Sequence, residues 1–327
     1  MKTIRNEELL SALKSANSVF LCTHVAPDGD AIGCLLAAGH LLEKMGKTVV
    51  MASSDPVPAK FMMLPGADRI LPPAAVSGVF DTAFSLDASD LPRTGDCRDI
   101  YMSAPVRLQI DHHGTNPGFA MINEIDADEP AAGVIVARLV RALGVPFDRD
   151  IAACLYTAIC TDTGNFIFPG VNAETFEIMS LLMETGFPMS EYAVRLNLMR
   201  EREYLGLLQR ALSRLTFLYD GRVTLTRLEG KDYEECHALP EHSDSIVNYG
   251  LYIPGVCLTC FADGRLSGVS RFSFRALPPY SAVNVAVRLG GGGHAQAAGC
   301  TMDCPMDEAL GKVLQAIDEE MKRHCTT

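Results

Sequence analysis

Four short fragments of this chain concentrate carboxylates and imidazoles. They hold His24, Asp28 and Asp30; then Asp87 and Asp90; then Asp111, His112 and His113; and finally Asp162. Carboxylate oxygen and imidazole nitrogen together suit divalent cations such as Mn2+. In the first fragment one imidazole and two carboxylates sit on a tight Pro27-Asp28-Gly29 turn, a spacing that can bring them around a cation. A pair of cations about 3.5–4 Å apart needs a shared carboxylate, and such a pair suits hydrolysis at phosphorus. That chemistry demands more acids than one cation would, and the fragments supply them. Taken singly, each fragment has a plainer reading. An Asp-x-Asp is commonly a turn or helix cap, a His-His pair is commonly packed away, and Asp162-Thr163-Gly164 fits a helix end. Their joint occurrence in strand-aligned order outweighs those readings.

The elements that must position them come from the apolar pattern. Runs at 19–23, 48–52, 82–86 and 106–110 read as buried strands, and helices are expected over 31–45, 131–143 and 151–160. Alternation of this kind predicts an α/β domain with a doubly wound parallel sheet. Sites in such sheets lie outside the carboxyl ends of the strands, where three of the fragments fall. From 173 to 214 the pattern is almost continuously helical, with a break at Gly186-Phe187-Pro188. A catalytic domain is therefore expected over 1–188, a helical connector over 189–214 and a smaller α/β domain over 215–327. In the last, hairpins are expected across Asp220-Gly221 and across 262–265, with helices over 282–289 and 307–324.

The smaller domain carries its own candidate site. Gly290, Gly291, Gly292 and Gly293 run directly into His294, and Arg275 lies on a strand shortly before them. Composition alone allows a flexible loop. The chemical alternative is backbone amides that approach an anion beside an imidazole, with Arg275 as a bidentate phosphate contact. Arg195, Arg200 and Arg202, on the connector, read as solvated or salt-bridged surface residues.

Of the 327 residues 48% are hydrophobic and 21% charged, an ordinary globular balance. The formal charge of −12 argues against a protein that coats long nucleic acid through a basic surface. Eleven cysteines, an odd number in a long chain, argue for reduced thiols and a cytoplasmic location. Cys22 and Cys160 have apolar neighbours and read as buried thiols without a catalytic role. No signal peptide and no membrane-spanning run are expected.

The four fragments resemble motifs I to IV of the DHH phosphoesterase superfamily. The glycine run with His294 resembles the signature of its companion DHHA1 domain, and Ser273-Phe274-Arg275 resembles the arginine-bearing strand that precedes it. The likeness covers nearly the whole chain and is greatest to the bifunctional oligoribonuclease/pAp phosphatases. It implies two divalent metal ions, Mn2+ foremost: one held by His24, Asp28 and Asp87, the other by Asp30, Asp87, His112 and Asp162. It leaves Asp111 behind the ligands and His113 as a contact to the scissile phosphate or general acid. Arg275, Gly291, Gly292, Gly293 and His294 are implied to recognise a terminal phosphate or base across a cleft between the domains. The implied substrates are short RNA or DNA oligonucleotides a few residues long and 3′-phosphoadenosine 5′-phosphate (pAp). Hydrolysis of cyclic or linear dinucleotides such as pApA and pGpG uses the same motifs and stays open, as does a homodimer. Two positions depart from the pattern: Ala276 stands where serine is common, and Asp244-Ser245 where glutamate-glycine is more usual.

Overall fold

The computed structural model describes residues 2–324, which form two compact units that divide between Met199 and Arg200. The first contains α1 (Glu7–Ser15), β1 (Ser18–Cys22), α2 (Gly29–Lys44), β2 (Thr48–Ala52), β3 (Thr82–Leu86), α3 (Arg98–Ser103), β4 (Val106–Asp111), β5 (Ile122–Ile125), α4 (Ala132–Ala142), α5 (Arg149–Asp162), α6 (Ala173–Glu184) and α7 (Met189–Asn197). Its five strands are parallel in the order β2-β1-β3-β4-β5. The period of two divides the strand residues between two cores. Val19, Leu21, Phe84 and Leu86 face one with α2, α4 and α5, while Phe20, Cys22 and Ala83 face the other with Tyr101 of α3. Helices therefore cover both faces, as a doubly wound sheet requires. The strand order reverses between β1 and β3, the place where such sheets open a crevice.

One helix seam matters most for the site. Gly29 and Gly33 of α2 press on α5: a β-carbon on Gly29 would lie 2.3 Å from Thr161 Oγ1, and one on Gly33 2.5 Å from the Cys154 carbonyl oxygen. Only glycine permits that approach. It brings the start of α2, capped by the Asp28 side chain, against the end of α5, whose last residue is Asp162. Motifs far apart in sequence thus meet through two missing side chains.

The second unit contains α8 (Arg202–Ser213), β6 (Thr216–Leu218), β7 (Val223–Glu229), α9 (Gly230–Cys236), α10 (Asn248–Leu251), β8 (Leu258–Leu266), β9 (Val269–Ala276), α11 (Ala282–Arg288), β10 (Gly292–Gly293), β11 (Ala297–Met302) and α12 (Met306–Arg323). Its six strands run β10-β11-β9-β8-β7-β6, with β7 and β8 parallel and the other pairs antiparallel. The hairpin across Asp220-Gly221 is present. The second expected hairpin is displaced: β8 continues through 262–265, its register shifts between Asp263 and Leu266, and the chain turns at Ser267-Gly268. The polar run that read as a turn is an irregular strand end. The 173–214 stretch breaks a second time, at 198–201, so α7 lies in the first unit and α8 in the second.

Ser245 has a φ of 68°, in the left-handed region that favours glycine, at one of the positions where the chain departs from the DHHA1 pattern. The ten described cysteines are free, with Cys22 and Cys160 buried. No described helix is long and apolar enough to cross a membrane.

Candidate metal centre

Each ligand-type side chain of the first unit is delivered by an element end. His24 lies just past β1, Asp87 just past β3, and Asp111 closes β4 with His112 and His113 behind it. Asp87 has a φ of 55°, an unusual conformation for a side-chain-bearing residue and of the kind that concentrates at functional sites. Its amide donates to the Ile110 carbonyl at 2.9 Å, which ties the strand ends together.

The structure brings the residues into two sets that share Asp87. His24 Nε2 lies 3.7 Å from both Asp28 Oδ1 and Asp87 Oδ2. His112 Nε2 lies 3.3 Å from Asp162 Oδ2, 3.7 Å from Asp87 Oδ1 and 3.9 Å from Asp30 Oδ2. The two oxygens of one carboxylate thus face different imidazoles. Asp87 is 2% exposed, and its Oδ1 is buried without a hydrogen-bond partner. An orphaned anionic oxygen of that kind is costly unless a cation meets it.

The imidazoles are aimed for the same purpose. His112 Nδ1 lies 3.1 Å from the Glu129 carbonyl, His24 Nδ1 2.7 Å from the Val25 carbonyl, and His113 Nδ1 2.8 Å from Asp111 Oδ1. An oxygen acceptor at Nδ1 requires the proton there, which leaves each Nε2 lone pair for an electrophile. The charges point the same way. Burial, then Asp30, Asp28 and Asp162, raise Asp87 well above the ordinary carboxylate range. Burial and Asp30 push Asp162 up to about 8, against the pull of His112. A fold that gathers carboxylates it disfavours as anions is suited to divalent cations.

Asp111 is buried and turned away from these sets. Its Oδ1 faces His113, and its Oδ2 accepts from Asn116 Nδ2, which also donates to the Ala88 carbonyl at 3.0 Å. Asn116 therefore links the turn after Asp87 to the acid that orients His113. Asp30 has a second duty, for its oxygens accept the amides of Ala132 and Gly133 at 2.6 and 2.9 Å and so cap α4. Asp90 accepts the Arg93 amide at 2.9 Å and lies in neither set. Sequence reasoning missed Asn116 and also Arg138. The latter is a fully buried arginine on the apolar face of α4, paired with Asp126, Glu129 and Glu174. An arginine flanked by apolar residues on both sides, preceded by an acidic loop, was the signal available.

In the second unit, Gly292 and Gly293 are β10 and pair with Gly299 and Ala298 of β11. A β-carbon on Gly291 would stand 2.1 Å from the Gly299 carbonyl oxygen, and one on Gly293 2.6 Å from that of Ala297. The run is an ordered hairpin, and close backbone packing accounts for two of its glycines. Gly290 and Gly292 face open space, the latter beside the exposed His294. Arg275 on β9 is the register partner of Ala297, so it emerges beside the hairpin turn. Burial lowers its pKa, with Asp244 acting the other way.

The family model of the DHH family, N-terminal domain, matches residues 18–159. The bifunctional oligoribonuclease and PAP phosphatase NrnA of Thermus thermophilus is 32% identical over 320 residues, which is 97% of this chain and 93% of that protein. The chain belongs to the DHH family. A manganese-dependent inorganic pyrophosphatase of Methanothrix thermoacetophila is 25% identical over 47% of this chain and 50% of its own. Among solved structures, an exopolyphosphatase-related protein from Bacteroides fragilis superposes with a TM-score of 0.90 at 25% identity, covering 96% of this chain and 95% of that one. That likeness extends through the second unit, so the DHH fold and the smaller α/β fold occur together in that protein as they do here.

Proposed function

We propose that this protein is a cytoplasmic phosphoesterase that uses two divalent cations, Mn2+ foremost. On this reading it hydrolyses oligoribonucleotides a few residues long to mononucleotides and removes the 3′-phosphate of pAp. The observation that carries the reading is Asp87, whose two oxygens are turned to two separate ligand sets. The near full-length relative named for these two activities supports the substrate class, and the manganese-dependent relative supports the metal.

In this reading His24, Asp28 and Asp87 hold one cation, and Asp30, Asp87, His112 and Asp162 hold the other. Cations bound there would supply positive charge to the phosphoryl group and ease the activation of water. The chain's own residues do the rest. Asp111 holds the proton of His113 on Nδ1, so Nε2 is the atom that meets a substrate oxygen, either to bind it or, once protonated, to hand a proton to the leaving group. Arg275, His294 and the hairpin around Gly292 recognise a terminal phosphate or base.

The test is a hydrolysis assay with Mn2+ that offers pAp, a short RNA, pApA and cyclic di-AMP at equal concentration. Fast turnover of pAp and short RNA, abolished by EDTA and restored by Mn2+, is expected. Preference for a di-adenylate would move the protein to dinucleotide turnover, and full activity in chelator would overturn the metal mechanism.

A further inference from the structure

Arg93 is a cation held directly against His24 at the edge of the metal centre, and neither metal set includes it. Its backbone is fixed on both sides. The amide donates to Asp90 Oδ1 at 2.9 Å, and the carbonyl accepts the Val25 amide at 2.7 Å, so the turn is sewn to the loop that carries His24. The neighbouring residues hold it there. Thr94 is buried and its carbonyl accepts from Ser54 Oγ, while a β-carbon on Gly95 would lie 2.5 Å from both Ser54 Oγ and Val25 Cγ1. This rigid turn presents an exposed side chain whose Nη2 lies 2.9 Å from His24 Nδ1.

That last contact cannot be a hydrogen bond in a working site. His24 Nδ1 also lies 2.7 Å from the Val25 carbonyl, which can only accept, so the proton belongs on Nδ1 and Nε2 keeps its lone pair for the cation. A guanidinium has donors only. Against an Nδ1–H it finds no acceptor, and among the described residues no carboxylate lies within ion-pair distance of it. A planar five-donor group is thus held beside the metal centre on an exposed side chain.

We infer that Arg93 binds a phosphate of the substrate, namely the one adjacent to the phosphate that is cleaved. This rests on the phosphoesterase reading above and deepens it. Nδ1 and Nε2 occupy different edges of the His24 ring, so the guanidinium lies outside the ligand set and not within it. A phosphate seated on the ligand set is served by the cations, and the group within reach of the fork is the next one along. Planar, bidentate recognition of phosphate is what guanidinium does well and ammonium does poorly.

The experiment compares wild type, Arg93→Ala and Arg93→Lys in Mn2+ on pAp, which carries a second phosphate, and on bis(p-nitrophenyl) phosphate, which does not. Loss of a charge-assisted contact to phosphate should raise KM for pAp about 10- to 100-fold with a smaller effect on kcat. The ratio of kcat/KM for pAp to that for the one-phosphate ester should fall at least about tenfold, with Arg93→Lys intermediate. Mn2+ affinity measured by calorimetry on the same variants should not change, because His24 keeps its Val25 contact. Equal losses on both substrates, no loss on either, or weakened Mn2+ binding in Arg93→Ala would overturn the inference and make Arg93 a brace for His24. If wild type cleaves neither pAp nor short RNA, the underlying reading fails on its own, before any variant is considered.

Discussion

Asp87→Asn isolates the charge of the shared carboxylate from everything else about the residue. Asparagine keeps the volume, and it tolerates the left-handed backbone at φ 55° about as well as aspartate, so neither a cavity nor new strain is introduced. What changes is a buried anion that its neighbours Asp30, Asp28, Asp162 and Asp111 disfavour. In EDTA the variant should therefore melt at or above the wild-type temperature, which is unusual for a buried polar substitution. In Mn2+ the order should reverse. A cation at a hundredfold excess over its dissociation constant stabilises the folded state by about 2.7 kcal/mol. For a unit of this size that is a rise of roughly 5–10 °C in Tm. Asp87 faces both ligand sets, so the variant should lose most of that rise, and its turnover should fall more than about tenfold. The assay is differential scanning calorimetry of both proteins with EDTA and with Mn2+. A variant that is destabilised in EDTA yet keeps the full Mn2+ shift would refute the reasoning, since Asp87 would then be structural and the cations would sit elsewhere.

Asp162 gives a pH dependence with a definite sign. Its folded-state pKa is raised to about 8, so the stability it contributes to the metal-free protein is fully present below the ordinary carboxylate range and is lost as pH rises through about 8. Thermal melts in EDTA from pH 5 to 9 should show falling stability, and Asp162→Asn should flatten that slope. Arg138→Met should cost about 3–5 kcal/mol, because it leaves Asp126, Glu129 and Glu174 without their buried partner, and urea unfolding would measure it. Arg275→Ala should weaken substrate binding, and an unchanged KM for short RNA would count against its assigned role.

The legible parts of the site were those that repeat a local rule. The strand at 82–86 stands where the apolar run put it, because a parallel strand buried on both faces has no polar alternation to confuse its ends. The candidate ligand residues were legible as types and spacings, yet their meeting depends on the Gly29 and Gly33 seam against α5. Two glycines in a helix announce nothing about a partner helix far along the chain. The displaced turn at Ser267-Gly268 was hidden because Asp263, Gly264 and Arg265 are turn formers by composition while a register shift keeps them in the strand. A glycine run likewise reads as mobile until the Gly299 and Ala297 carbonyls are seen lying where its side chains would have been.

Ser245 joins sequence departure and geometry in one position. The DHHA1 likeness leads to glycine there, serine is present, and the backbone nonetheless holds φ at 68°. The left-handed conformation costs a side-chain-bearing residue roughly 1–2 kcal/mol, against roughly 0.5–1 kcal/mol of extra chain entropy that glycine would lose on folding. The fold therefore imposes the turn instead of the residue choosing it. The constraint comes from the residues on its carboxyl side. The Asn248 amide donates to the Ser245 carbonyl at 3.0 Å, and Ile246 and Val247 are buried in a core shared with Tyr204 and Leu207 of α8. Burial of those two aliphatic side chains outweighs the local cost, which is why a position that departs from its family pattern still keeps a glycine-like backbone.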